Sequence, residues 1–143
     1  MRVRSMTERD APAVADLAGQ LGYPSTEAQI RRRFESVSDD PGSAVFVAED
    51  EAGHVVGWTH VVARSFLESD PYAELAGLVV DRTARRRGVG HILVSAAETW
   101  AAERGYATMR VRSNVKRAEA RPFYEGMGYV IGKTQNVYEK TLK

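Results

Sequence analysis

The run from Glu74 to Leu93 constrains this chain more than any other part of it. An apolar, β-branched stretch ends at Asp81, and three arginines, Arg85, Arg86 and Arg87, follow in a loop. Gly88 and Gly90 then flank Val89, and Val89, Ile92, Leu93, Ala96, Ala97 and Trp100 form one apolar stripe at helical spacing. The reading is strand, basic loop, amphipathic helix. Such a loop aims successive N–H groups at an anion. Its glycines let the backbone come close, and the helix dipole adds attraction. No Gly-Lys-Ser/Thr follows, so this is not a nucleotide P-loop, and the first glycine of the dinucleotide fingerprint is missing. Glu74 supplies a carboxylate a short way upstream on the same strand. A phosphate cradle beside a carboxylate suggests group transfer from a phosphate-bearing donor.

The rest of the chain sets the bounds. Its 143 residues are most simply one domain, 1–143, with a real core. The formal net charge of +1 calls for neither nucleic acid nor a membrane surface. Cysteine is absent, which removes disulfides, thiolate metal sites and a thiol nucleophile. Met1 to Met6 lacks the apolar stretch of a signal peptide, and no apolar run reaches membrane-spanning length. The expected location is cytoplasmic.

Periodicity predicts the remaining elements. Val3 to Met6 reads as a first strand, and Thr7 as the cap of a helix carrying Val14, Leu17, Ala18 and Leu21 on one face. Ser25 or Thr26 caps a second helix with Ile30, Phe34 and Val37 aligned. Runs 44–48 and 54–63, joined by Glu51-Ala52-Gly53, read as a hairpin; 65–71 reads as a polar, acidic loop, and 72–81 as the next strand. After the third helix, Ala107, Met109 and Val111 alternate with Thr108, Arg110 and Arg112, a half-buried strand. A fourth helix is expected between Val115 and Met127, kinked at Pro122 or starting near Arg121 with the proline in its first turn. Final strands are expected at 129–131 and 136–142.

At the strand-to-helix junction the chain resembles the GNAT superfamily, the acyl-CoA-dependent N-acetyltransferases, whose signature Gln/Arg-x-x-Gly-x-Gly/Ala is matched by Arg85 to Gly90. Downstream, Asn114 and then Phe123, Tyr124, Gly128 and Tyr129 are similar to the family's second signature. The element order matches too, so the resemblance covers nearly the whole chain. It implies an α/β (α+β) fold: a mixed, mostly antiparallel sheet of six to seven strands with helices on both faces. It implies acetyl-CoA as co-substrate, no metal, and an amine acceptor, and it allows a homodimer. Main-chain groups of Leu78, Val79 and Val80 would pair with the pantetheine arm. Arg85, Arg86, Arg87, Gly88, Val89, Gly90 and His91 would hold the pyrophosphate, and Asn114 would sit near the pantetheine. Tyr124 would protonate the leaving thiolate, and Glu74 would be the general base, because an alkylamine arrives protonated and cannot attack a carbonyl.

Other features carry less. His54, His60 and His91 lack metal-ligand spacing, although His60 could line the acceptor site. Arg31 to Arg33 read as a solvated helix face. With Glu68 and Asp70, Glu74 would make the approach acidic and suit a cationic amine. The expectation is acetyl transfer from acetyl-CoA to a small cationic primary amine within a ternary complex. A protein or peptide N-acetyltransferase and a non-catalytic acyl-CoA sensor are the alternatives. Arg121-Pro122 departs from the family pattern and bears on the aim of Tyr124.

Overall fold

The computed structural model describes residues 1–113 and 117–143; Asn114 lies outside the described residues. The chain divides into two compact units, Met1–Arg112 and Ser113–Lys143. In chain order the first holds β1 (Arg2–Ser5), α1 (Ala11–Gln20), α2 (Glu27–Ser38), β2 (Ser43–Glu49), β3 (Val55–Phe66), β4 (Ser69–Val80), α3 (Val89–Glu103) and β5 (Met109–Val111). The sheet runs β1-β2-β3-β4-β5; its pairs are antiparallel except β4 with β5, which is parallel.

Period-two alternation along the strands buries both faces of the sheet. Phe46, Ala48, Leu78 and Val80 pack with Val89 and Leu93 of α3. Val45, Val47 and Trp58 pack with Val14 of α1 and Ile30 and Phe34 of α2. The result is a mixed sheet with helices on both faces. Thr26 is the cap of α2: its Oγ1 accepts from Gln29 N–H at 3.1 Å, and Gln29 Oε1 accepts from Thr26 N–H at 2.9 Å. The first helix begins at Ala11, later than Thr7, because a 3₁₀ turn at Glu8–Asp10 intervenes. That turn presents Asp10 to Arg4, whose guanidinium donates to both carboxylate oxygens at 2.8 and 2.9 Å and ties β1 to the helix entry.

Gly57 on β3 brings α3 close to the sheet. A Cβ there would stand 3.0 Å from the carbonyl oxygen of Val79 and 3.0 Å from side-chain atoms of both Val89 and Leu93. Any side chain would push the first turn of α3 away from β4, so this glycine sets the distance between the strand and the cradle.

Two expectations need correction here. The segment 65–71 is not a loop: β3 and β4 run on until Phe66 pairs with Ser69, leaving a tight turn at Leu67 and Glu68. Among the described residues the sheet has five strands, not six to seven, and residues 129–143 take up none. The alternating pattern in that segment is real, but a strand exists only where another strand pairs with it. Considered by itself, the second unit holds α4 (Ala120–Gly126), with Pro122 in its first turn. Gly128, at φ +92°, follows it.

Candidate active site

The site is built around the far half of β4. Parallel pairing with β5 covers only Ala73, Glu74 and Leu75. Beyond Leu75, β4 has no neighbour on that side among the described residues. The register to β3 skips Ala76, which bulges out and is exposed while Tyr72 to Leu75 are buried. Asp81 N–H donates to Val56 C=O at 2.8 Å. Because an antiparallel ladder alternates, Val79 and Gly77 also turn their main-chain groups to β3, and Leu78 and Val80 turn theirs to the open edge. The three predicted strand residues therefore divide: Leu78 and Val80 offer free main-chain groups, whereas Val79 is committed to β3 and buries its side chain.

The loop follows directly. Asp81 Oδ1 accepts from Thr83 N–H at 3.0 Å and from Thr83 Oγ1 at 3.1 Å, which closes a 3₁₀ turn at Arg82–Ala84. Ala84 is buried, and Arg85, Arg86, Arg87 and Gly88 are exposed. Arg86 has φ +65°, a conformation that costs a non-glycine residue free energy and is held only where the surroundings impose it. Gly88, at φ +79° and ψ 9°, is the N-cap of α3, with no side-chain cap and no acidic residue in the first turn. The first intrahelical bond runs from Ile92 N–H to Gly88 C=O at 3.1 Å. The N–H groups of residues 89–91 therefore precede the helical ladder, shortly after Arg85, Arg86 and Arg87 in the chain.

On the opposite face of the sheet, Glu74 is buried between two arginines. Arg64 Nη2 donates to one carboxylate oxygen at 3.0 Å and Arg112 Nε to the other at 2.9 Å. Burial opposes the charged form, but these two guanidiniums outweigh it and hold the carboxyl below its ordinary value. Arg110, the register partner of Glu74 on β5, lies over the Tyr72 ring at 4.0 Å. Glu68 and Asp70 are exposed at the hairpin end, while the charge of Glu74 is met by its partners. His60 pairs with Gly77 beside the bulge, and its Nε2 is buried with no hydrogen-bond partner among the described residues. Burial, then Arg64, keep its pKa below the usual 6.5 against the pull of Asp40, so the imidazole is neutral at neutral pH.

In the second unit, Tyr124 packs edge-on against Phe123 and Tyr129, with ring centroids at 5.0 and 5.8 Å. Burial raises its pKa above 10, against a smaller opposing effect of Arg117, so the phenol stays protonated. Arg31 is occupied by Glu27 at 2.8 Å and Glu8 at 3.6 Å. Among the described residues no three His, Asp or Glu side chains come together as a metal site would need, and no helix is long and apolar enough to cross a membrane. Sequence reasoning missed Arg64 and Arg112 as the partners of Glu74. The period-two pattern from His60 through Val62 to Arg64, and from Arg110 to Arg112, was the available signal.

Residues 10–129 match the model of the acetyltransferase (GNAT) family. An aminoglycoside N(6')-acetyltransferase type 1 of Stenotrophomonas maltophilia is 30% identical over 132 residues, 89% of this chain and 84% of that protein. The crystal structure of an aminoglycoside 6'-N-acetyltransferase from Acinetobacter haemolyticus shares the fold, with a TM-score of 0.86 at 16% identity and full coverage of both chains. An aminoglycoside N-acetyltransferase solved in complex with CoA superposes with a TM-score of 0.83 at 20% identity, covering 98% of this chain and 99% of that one. An uncapped helix N-terminus beside an open strand edge, joined to a family match over most of the sequence, leads to one conclusion: this chain belongs to the GNAT family of acetyl-CoA-dependent N-acetyltransferases.

Proposed function

We propose that this enzyme moves an acetyl group from acetyl-CoA to a primary amine of a small cationic molecule, by direct attack in a ternary complex. The observation that carries this reading is the uncapped start of α3 beside the free edge of β4. In that arrangement the N–H groups of 89–91 and the charges of Arg85, Arg86 and Arg87 bind the pyrophosphate. Leu78 and Val80 offer main-chain groups to the pantetheine amides. A thioester beside the Ala76 bulge lies where ladder hydrogen bonding is interrupted, so a main-chain N–H can polarise its carbonyl. Attack by the amine forms the C–N bond and expels the CoA thiolate, which takes the proton of a phenol. Tyr124 suits that part because it stays protonated. The aminoglycoside acetyltransferase relative supports a polyamine-like acceptor.

The amine must first lose a proton. Glu74 is the acid residue of this face, but both of its oxygens already accept guanidinium hydrogen bonds. A carboxylate held this way is a weak base, and the geometry favours a positioning part for it, fixing Arg64 and Arg112. That leaves His60, neutral and with Nε2 unpartnered among the described residues, as the imidazole on this face able to accept a proton.

The direct test is release of free CoA across aminoglycosides, polyamines, amino acids and peptide N-termini. The expected result is turnover with the first two classes. Binding of acetyl-CoA with no release to any amine would replace the enzyme by a sensor. Tyr124→Phe is expected to lower kcat about 10²-fold or more with acetyl-CoA affinity held; an unchanged kcat removes the acid role.

A further inference from the structure

The 3₁₀ turn that follows β4 is held mostly from within. Thr83 N–H donates to Asp81 Oδ1 at 3.0 Å, and Ala84 N–H donates to Asp81 C=O at 2.9 Å. Arg82 N–H instead donates to Gln20 Oε1 at 3.1 Å, across 62 positions of sequence. The side chain of Arg82 returns the contact: its Nη2 donates to Gln20 C=O at 3.4 Å, the longer and weaker of the two bonds. Each residue thus holds the other's main chain with its side chain. Neither end of this clasp has a local substitute. Gln20 is the last residue of α1, and that helix has no basic residue in its last turn. The carbonyls of Ala18 and Gly19 accept from N–H groups of the turn that follows, whereas that of Gln20 meets the Arg82 guanidinium. At the other end, a single 3₁₀ turn separates β4 from Arg85, and a turn that short is marginal by itself.

We infer that Gln20 is a positioning residue for the donor site: through Arg82 it aims the turn from which Arg85, Arg86, Arg87 and the N–H groups of 89–91 follow. The inference rests on the reading that those groups hold the pyrophosphate of CoA. Gln20 meets the loop and not the ligand. The clasp also divides the four arginines of the loop. Arg82 is turned to the end of α1, while Arg85, Arg86 and Arg87 are exposed and face no such partner among the described residues. Both bonds of the clasp lie in contact with solvent, so water can replace them at little cost in stability. What water cannot replace is direction. Groups that bind a ligand must be held to within about 0.5 Å of their productive geometry by the contacts behind them. Gln20 is the contact behind the first residue of this loop, and it comes from a helix that the core fixes through Val14, Leu17 and Ala18.

The test is Gln20→Met in the full chain, which keeps side-chain length and helix propensity but removes the accepting oxygen. Gln20→Ala serves as a second variant. Dissociation constants are measured by amide NMR titration for CoA and for pantetheine, the part of CoA that lacks the pyrophosphate, with thermal unfolding and amide exchange of each protein alongside. The Kd for CoA is expected to rise about three- to tenfold, and that for pantetheine to stay within about twofold of the wild type. Exchange of Arg82 N–H should quicken, while Thr83 and Ala84, held by Asp81, keep their protection. Equal losses for CoA and pantetheine would mean a general loss of structure and would overturn the inference. So would an unchanged CoA affinity once Arg82 N–H exchanges faster, or an exchange rate at Arg82 that does not move. A wild-type protein that binds CoA no more tightly than pantetheine is a separate result: the pyrophosphate reading itself then falls, and the role of Gln20 falls with it.

Discussion

Gly88→Val is expected to raise the dissociation constant for CoA by about ten- to a hundredfold while the folded core persists. A Cβ at this position meets nothing within 4 Å, so a collision cannot be the cause. The cause is the backbone: Gly88 sits at φ +79°, where a β-branched residue is a genuine outlier and the left-handed conformation costs roughly 1–2 kcal/mol. The variant relieves that cost by turning the peptide, and the turn re-aims the N–H groups of Val89, Gly90 and His91. Hydrogen bonds to a charged group are worth about 1.5–3 kcal/mol each, so losing one sound bond to the pyrophosphate accounts for the stated range. Gly88→Ala carries the same strain without the β-branch and should fall between the wild type and Val. Calorimetry with CoA, alongside thermal unfolding of each variant, decides the matter. Affinity that stays level in a folded Gly88→Val protein would mean that the pyrophosphate is held somewhere else, and the whole functional reading would go with it.

The parts of the site that the sequence reveals are those whose signals are local. The period-two run into Asp81, the paired glycines and the 3.6-period stripe of α3 lie within twenty residues, and the structure places all three where they read. What sequence alone cannot deliver is register. Arg64 and Arg112 reach Glu74 because Val62 faces Glu74 on one side and Arg110 faces it on the other. That alignment is set together with two irregularities in the β3–β4 ladder, one at Ala76 and one between Arg64 and Phe66, and nothing in the local sequence marks either. The division of Leu78 and Val80 from Val79 rests on the same ladder. The terminal strands failed for a related reason. Windows 129–131 and 136–142 have the composition of strands, but pairing belongs to two segments, and a window contains only one. In α4 the competing readings of Pro122 were resolved by where the helix begins, Ala120, which spares the proline an interior position.

Glu74→Gln separates a base from a clamp. If the carboxylate took the proton of the amine, its loss would cost about 10²–10⁴ in rate and remove the rise in rate with pH. The geometry leads to a different expectation. Glu74 is held below its ordinary value near 4.5, so it is ionised throughout the neutral range and contributes no limb to the profile there. The variant should lower kcat/KM modestly and leave the shape of the pH profile unchanged. Its larger effect should fall on stability. Removing the charge takes from Arg64 and Arg112 the carboxylate that both of them meet. An uncompensated buried charge costs about 3–5 kcal/mol, but these guanidiniums are 45% and 59% exposed, so solvent screens them and about 1–2 kcal/mol is the fitting figure. For a domain of this size that lowers Tm by roughly 3–8 °C. The sign with pH follows from the lowered pKa. The stabilisation is fully present above the unfolded value and is lost as pH falls through the folded one, so wild type and variant should converge only in acid, below the ordinary carboxylate range. Glu74→Asp keeps the charge but shortens its reach, and should restore only part of the stability because both arginines must still be met at hydrogen-bond distance. A Glu74→Gln protein of unchanged Tm whose rate no longer climbs with pH would reverse the assignment and return the proton to this carboxylate.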